Sequence, residues 1–238
     1  MQHRLPALNS ACFLRKDMRY CTEVMLDDQT KSQALSTSLL NLPGVDVLGT
    51  TVYVSARDRY FKVPHVVEIA EVDYGHKVMA NLNRALVVLM DAIKEKDFLD
   101  IHELSLHKAS HLPPMICAND LKCELITKKF QPHLLIIHPI VKAEASRDAY
   151  FPQIKESWVF DHLIDAISYR RGGQRATLIF YIINDGVDRV RPTPETHDDY
   201  SKILAEAVRC GVEILTAKLE ITTQSELRVS FDKLFFPS

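Results

Sequence analysis

The sequence carries no excess of charge of either sign, which excludes one broad class of nucleic-acid-binding protein. Its 238 residues include 29 Lys and Arg against 31 Asp and Glu, for a net charge of −2. Proteins that hold nucleic acid by bulk charge alone are strongly basic, so only a local basic patch could serve here. The length allows one large domain or two small ones, and 47% hydrophobic residues are enough to form a substantial core.

Cysteines in C-x-x-C spacing and long apolar runs are also missing. The five cysteines are odd in number and no two of them have C-x-x-C spacing, which argues against a disulfide framework or a four-thiolate zinc site. The N-terminal residues mix basic and polar side chains, unlike a signal peptide, and the longest apolar run, near Leu134 to Ile137, is too short to cross a bilayer. We therefore expect a cytoplasmic protein with reduced thiols and no membrane partner.

The familiar cofactor and nucleophile motifs are absent as well. The chain has no G-x-G-x-x-G, no P-loop, no G-x-S-x-G and no H-E-x-x-H. His102, His107 and His111 are spaced by five and four residues, but they lie in a segment that we predict as strand and loop, where this spacing does not gather metal ligands. We predict no metal site and no bound cofactor.

The first 75 or so residues have the pattern of short strands separated by turns. The predicted strands are rich in β-branched residues and end at turn-forming Asp and Gly; they are Tyr20–Leu26, Val45–Ser55 and Lys62–Val72. Several short strands at such spacing indicate a small barrel or sandwich. Five strands would suit a barrel of the oligonucleotide-binding type, although periodicity alone does not select it.

The second part of the chain alternates helices and strands. We predict a helix over Asn81–Lys96, paired strands at Met115–Thr127 and His133–Val141, a helix from Pro152 to about Tyr169, a strand at Ala176–Ile183, a helix over Glu195–Arg209 and a final main strand at Val212–Ile221. This order predicts a sheet with at least some parallel pairs. We place the domain boundary so that residues 1–78 form the barrel and residues 79–238 form an α/β domain, an α+β protein overall.

Two short segments place basic residues beside aromatic ones. Such interleaving suits a surface that follows phosphates and stacks bases, while a solvated barrel rim would give the same pattern. The residues that we predict to contact nucleic acid are Lys16, Arg19, Tyr20, Arg57, Arg59 and Lys62.

The predicted strand pair offers a second hypothesis, a metal-dependent nuclease. Such enzymes place an acid on one strand and Glu-x-Lys on its neighbour, so that carboxylates hold Mg²⁺ and the Lys stabilises developing charge. Glu124 on the first strand and Lys142 after the second are the candidate catalytic residues. The second carboxylate is missing, and one acid alone is a weak ligand set for a hard dication.

The C-terminal third resembles a known family in several short motifs. The motifs are Tyr150-Phe151-Pro152, His162-Leu163, Gly173-Gln174-Arg175-Ala176 and Gly211-Val212-Glu213-Ile214-Leu215. They resemble, in this order, the Y-F-P, H-L, G-Q-R-A and G-V-E-I-L motifs of the bacterial sugar fermentation stimulation protein (SfsA) family. The N-terminal half agrees more loosely, around Arg19-Tyr20, Gly49-x-Thr51-Val52 and Lys62-x-Pro64-His65.

Membership of this family implies an N-terminal barrel of the oligonucleotide-binding type and a C-terminal α/β domain with a mixed sheet that resembles restriction nucleases. It also implies non-specific DNA binding and a role in regulating sugar metabolism. The departures fall on the site motifs: the family's Glu-Val-Lys is replaced by Ile137-His138-Pro139 without a gap, or by Ile140-Val141-Lys142 with one, and neither alignment restores the glutamate.

We therefore expect a diverged relative that keeps the fold, has lost catalysis and acts as a nucleic-acid-binding or regulatory protein. One alternative is a surviving Mg²⁺- or Mn²⁺-dependent nuclease that uses Glu124 and Lys142. Another is a protein-interaction module, in which the Phe235-Phe236 end docks a partner or a second subunit in a homodimer. The sequence leaves the oligomeric state and the metabolic pathway open.

Overall fold

The structure is a computed structural model that describes residues 3–18, 20–36, 47–58, 61–95, 101–103, 121–127, 132–151, 157–192, 197–222 and 225–233. Within these ranges the strands are β1 (His3–Arg4), β2 (Leu8–Met18), β3 (Cys21–Leu26), β4 (Lys31–Leu35), β5 (Thr51–Ala56), β6 (His65–Val72), β7 (His76–Met79), β8 (Ile101–Glu103), β9 (Leu121–Thr127), β10 (Pro132–Ile140), β11 (Asp148–Phe151), β12 (Arg175–Ile182), β13 (Arg189–Pro192), β14 (Glu213–Ile221) and β15 (Glu226–Lys233). The helices are α1 (Leu82–Glu95), α2 (Ser157–Arg171) and α3 (His197–Arg209).

Strands β2 to β6 form a closed barrel, as expected from the short strands of the N-terminal segment. They follow the order β4-β3-β2-β5-β6, with β7 added beside β6, and all neighbours in this order are antiparallel. A parallel pair between β4 and β6, at Ala34 with His65 and Leu35 with Val66, closes the barrel. Two irregularities in the pairing of β2 with β3, between Phe13 and Arg15 and between Lys16 and Met18, let this long strand bend with the barrel wall.

The remaining main sheet has seven strands in the order β1-β15-β14-β12-β10-β9-β8. Its centre, β10-β12-β14, is parallel, whereas β9 and β15 are antiparallel to their neighbours. The predicted mixed sheet is thus confirmed. The parallel strands are joined through α2 and α3, which is the connection that parallel pairing requires.

Apolar residues of β10 alternate between two cores. Leu135 and Ile137 face the core shared with the barrel and α1, while Leu134 and Ile136 face the core beneath α2 and α3. Both cores exclude water, so the strand is apolar on both faces. Tyr181 on β12 adds a fixed contact to α1, because its hydroxyl donates a hydrogen bond of 2.9 Å to the carbonyl of Ala85.

One sequence expectation was wrong, and a second one remains untested. Val212–Ile221 is not the last main strand, because β15 follows it and pairs with it through the turn at Ser225. The apolar residues of β15, which are Leu227, Val229 and Phe231, alternate with polar ones, which is the pattern of a strand buried on one face. The boundary between residues 1–78 and 79–238 stays a prediction, and it falls inside β7. Within the described parts, no helix has the length and apolar character needed to cross a membrane.

The core between the barrel and the sheet gives a first prediction. Leu89 on α1 is 0% exposed, so Leu89→Ala should lower the free energy of unfolding by about 2–5 kcal/mol through lost burial and an internal cavity. Val87, two residues earlier on the same helix, is 56% exposed, and Val87→Ala should change stability by no more than about 0.5 kcal/mol. Urea unfolding of both variants measures the difference, and equal stabilities would contradict this packing.

Candidate nucleic-acid interface

Closure of the barrel brings the two basic and aromatic segments to the same end. Cys21, which follows Tyr20, pairs with Leu35 at the end of β4. Leu35 in turn pairs with Val66 at the start of β6, and Val66 pairs with Ser55 near the end of β5. The β2–β3 turn and the β5–β6 connection are therefore neighbours across the closure, although they are far apart in the chain.

The electrostatics of Cys21 agree with this arrangement. Burial and the nearby carboxylate of Asp17 raise the pKa of its thiol, and the guanidinium of Arg57 acts on the same thiol in the opposite direction.

We name the basic and aromatic groups at this end the barrel-end face and define it as Lys16, Tyr20, Arg57, Phe61 and Lys62. Lys16 and Lys62 are exposed, Tyr20 and Arg57 are partly buried, and the ring of Phe61 is 52% exposed. The guanidinium carbon of Arg57 lies 3.8 Å from the centre of the Phe61 ring, a cation–π contact that orients both groups at the surface.

Carboxylates moderate the positive charge of the barrel-end face. Asp17 and Asp58 are exposed in the same segments, and Asp17 accepts a hydrogen bond of 2.8 Å from Gln33. The neighbouring Arg15 is paired with Glu23 at 2.8 Å. Two further predicted contact residues, Arg19 and Arg59, lie outside the described residues, as does the Phe235-Phe236 end.

The structure does not bring Glu124 and Lys142 together. Glu124 on β9 is opposite Leu134 near the start of β10, and the strand then runs from residue 134 to Ile140. Six residues of strand span roughly 20 Å, and Lys142 lies two residues beyond that end. The ammonium of Lys142 is 3.1 Å from a carboxylate oxygen of Glu144, so its described ion-pair partner is local.

Both positions at which the related motif has glutamate are buried isoleucines. Ile137 and Ile140 are each 0% exposed, the first in the core shared with the barrel and the second in the core beneath α2 and α3. Neither position can present a carboxylate to a cation without a change of residue and of environment.

His138, between those positions, belongs to a buried aromatic cluster. Its ring centre lies 4.6 Å from that of Phe151, 5.7 Å from that of His162 and 6.1 Å from that of Phe180. Burial, assisted by His162, holds the pKa of His138 well below its usual value, so the imidazole is neutral. Among residues with described side chains, no group of three or more His, Cys, Asp or Glu is placed to hold a metal ion.

Sequence reasoning missed a charged network beside the parallel strand ends. The buried carboxylate of Asp148 lies 2.8 Å from Arg189 and 3.3 Å from Arg191 on the paired strand β13. Arg147 binds Asp188 at 2.6 Å, and this hydrogen bond is the main cause that lowers the pKa of Asp188. The alternation of Arg189 and Arg191 was the available signal. Because Arg189 and Arg191 share the carboxylate of Asp148, the network ties β11 to β13.

A second buried polar group lies at the opposite ends of the parallel strands. Nε2 of His133 is 2.9 Å from the hydroxyl of Thr177, and that hydroxyl donates to Glu213 at 3.1 Å. Since the hydroxyl has one hydrogen, Nε2 of His133 is the donor and the histidine does not act as a base toward Thr177. Burial, aided by the charge of Arg175, lowers the pKa of His133 from 6.5 to about 4.

Comparison with known proteins agrees with this architecture. The family model described as "Sugar fermentation stimulation protein RE domain" matches residues 140–225. A solved structure of Pyrococcus furiosus SfsA in complex with Ca²⁺ has the same fold, with a TM-score of 0.72, 20% sequence identity and 96% of each chain covered. These matches confirm the resemblance read from the sequence motifs, and with it the small barrel of oligonucleotide-binding type followed by a mixed-sheet α/β region.

The buried histidine gives a pH prediction. Because the pKa of His133 is lower in the folded protein, the unfolded chain takes up a proton first as the pH falls, and stability is lost between pH 6.5 and about 4. His133→Gln keeps an N–H donor without this titration and should lose less stability over that range, by up to about 3 kcal/mol. Urea unfolding at pH 7.5 and 4.5 measures this, and parallel losses in both proteins would rule the effect out.

Proposed function

We propose that this protein binds nucleic acid through the barrel-end face and that its nuclease-like domain has lost catalysis. The match of residues 140–225 to the model of the sugar fermentation stimulation protein RE domain supports this class of protein. The observation that carries the proposal is the closure of the barrel by β4 and β6, which gathers basic and aromatic side chains from two segments. The rest of the chain has no bulk positive charge with which to bind nucleic acid.

The chemistry of the barrel-end face suits a single strand. Lys16 and Lys62 can contact phosphates, and the exposed ring of Phe61 offers a surface on which a base can stack. Arg57 lies against Phe61 and can contact the same nucleotide. Stacking and phosphate contacts are tolerant of sequence, so non-specific binding follows.

Loss of catalysis is supported by the residues that replace the family's acids. The Pyrococcus protein was solved with Ca²⁺, an ion that needs several oxygen ligands. In this chain Ile137 and Ile140 occupy the alternative positions of the glutamate and are fully buried. Lys142 is paired locally with Glu144. The donor set formed by these residues does not fit a hard dication.

The regulatory part of the proposal comes from the family. A protein that keeps a nucleic-acid-binding surface without cleavage acts by occupying DNA, which suits a role in controlling genes of sugar metabolism. The second candidate function, a Mg²⁺- or Mn²⁺-dependent nuclease with a reduced site, is favoured by one observation, the Ca²⁺ complex of the Pyrococcus relative. In that case Glu124 would supply the remaining carboxylate.

The binding surface can be tested by charge reversal. We expect Lys62→Glu and Lys16→Glu each to weaken binding of a labelled single-stranded oligonucleotide by about tenfold, since each removes a phosphate contact and adds repulsion. Lys202→Glu, at an exposed position of α3, makes the same charge change away from the barrel and should have little effect. Fluorescence anisotropy at 50 and 200 mM salt measures both affinity and salt dependence.

The same experiment with the wild-type protein tests whether it binds DNA at all. It should bind both single-stranded and duplex DNA at the lower salt concentration, more weakly at the higher one, and with preference for the single strand. Absence of binding at 50 mM salt, or equal weakening by Lys62→Glu and Lys202→Glu, would refute the assignment of the barrel-end face.

The loss of catalysis has its own test. Supercoiled plasmid incubated with the protein and Mg²⁺ or Mn²⁺ should remain uncut, because the second carboxylate is missing. Glu124→Ala, prepared in the same way, is the matched control for contamination. Cleavage by the unchanged protein that is abolished in Glu124→Ala would establish the nuclease alternative instead.

A further inference from the structure

A groove of about 370 Å³ lies between the barrel, the start of α1 and the β1–β15 pair. Its walls combine cationic and apolar side chains from separate elements, among them Arg4, Arg57, Arg84, Val66, Val87 and Leu227. None of the lining residues is Asp or Glu. The volume lies at the lower end of the range for small-molecule sites and is sufficient for a mononucleotide.

Arg84 is held in place by a fully buried carboxylate behind the groove. Glu68 is 0% exposed and accepts two hydrogen bonds of 2.9 Å from Arg84, through Nε and Nη2. Ser55 and Asn81 each donate to the same carboxylate at 2.8 Å. This side-on pair fixes the guanidinium plane and leaves Nη1 on the side away from Glu68. Arg84 is therefore a rigid donor at the wall.

Arg57 connects the groove with the barrel-end face. It lines the groove, and its guanidinium also packs on the exposed ring of Phe61. His3 lines the groove too, and its Nε2 lies 3.1 Å from a carboxylate oxygen of Asp91. A strand that crosses Phe61 would thus meet, at its end, a groove with the guanidinium groups of Arg4 and Arg57 in its wall. Arg84 lies beside them as an oriented donor whose charge is balanced by Glu68.

We propose that this groove binds the terminal phosphomonoester of a nucleotide, either at the end of a nucleic-acid strand or on a free mononucleotide. As a binding site for strand ends it rests on the proposed function. A terminal phosphate carries more charge than an internal phosphodiester and presents three oxygens, which forked guanidinium donors can contact in pairs. The apolar walls at Val66 and Leu227 can contact the attached sugar and base.

The helix terminus contributes less to this site than the arginines do. Asn81 caps α1, because its side-chain oxygen accepts the backbone N–H of Arg84 at 3.1 Å. The charge that selects a phosphomonoester over a neutral ligand therefore comes from the guanidinium groups.

The test compares ligands that differ only in a terminal phosphate. Labelled single-stranded oligonucleotides of about eight nucleotides carry a 5′-phosphate, a 3′-phosphate or neither. Each is titrated with the protein, and binding is measured by fluorescence anisotropy. The protein should bind one of the phosphorylated forms about five- to tenfold more tightly than the unphosphorylated form. Calorimetric titration of 5′-AMP and 3′-AMP against adenosine makes the same comparison without a strand.

Val87 allows a matched set of variants, because it lines the groove and yet is 56% exposed, so a polar residue should be tolerated. Val87→Glu places a carboxylate one helical turn from Arg84 and should reduce the phosphate preference to less than about twofold. Val87→Gln introduces a side chain of the same size as glutamate without the charge, and this variant should keep the phosphate preference. Val208→Glu makes the identical change at a 46% exposed position on α3 and should also keep it.

The outcomes separate this site from the proposed function. The protein could bind oligonucleotides without a phosphate preference and bind the two AMPs no more tightly than adenosine. This result overturns the groove as a phosphate site and leaves the proposal for the barrel-end face intact. A phosphate preference for AMP without oligonucleotide binding supports the groove as a mononucleotide site and overturns the proposed function. If neither Val87→Glu nor Val208→Glu reduces the phosphate preference, the phosphate binds to another surface. That result also overturns the assignment of the groove.

Discussion

The parallel pairing of β4 with β6 is the contact on which the proposed interface depends. It joins Leu35 to Val66 and so places the β2–β3 turn beside the β5–β6 connection. In an open sheet, Tyr20 and Arg57 would occupy separate hairpin ends with no common ligand. Closure also pairs the end of β4 with the start of β6, the part of β6 that β7 does not cover. The same backbone pairing that completes the barrel thus gathers the groups of the proposed interface. Stability and surface chemistry therefore share one cause.

A different constraint governs the second half of the chain. Strands β10 and β12 are buried on both faces, and the positions that could have carried a catalytic acid are filled by Ile137 and Ile140. An ionised carboxylate at either position would need compensating partners, because desolvation strongly disfavours an unpaired buried charge. The two isoleucines fit the closed cores on both sides of the strand, so the fold at these positions needs no charged partner.

Long, strongly patterned elements were predictable from sequence. The apolar stripe of Leu82, Leu86, Leu89 and Ile93 indicated α1, and the uninterrupted apolar run of β12 indicated a strand covered on both faces. The strand β15 was missed although Leu227, Val229 and Phe231 alternate with polar residues, which is the pattern of a strand buried on one face. The buried group around Glu68 was also missed, since Ser55, Asn81 and Arg84 meet it only after folding.

The sequence by itself determined the class of fold, the two basic and aromatic segments and the absence of a second carboxylate in the nuclease-like motif. These are properties of residue type and of short spacing, which act locally through the periods of strands and helices. Tertiary structure alone decided that the two segments share one end of the barrel, that Glu124 and Lys142 stand at opposite ends of β10, and that Arg84 is fixed beside a groove. Each of these depends on strand register or on contacts between distant residues, because both are set by packing of the whole chain rather than by local sequence.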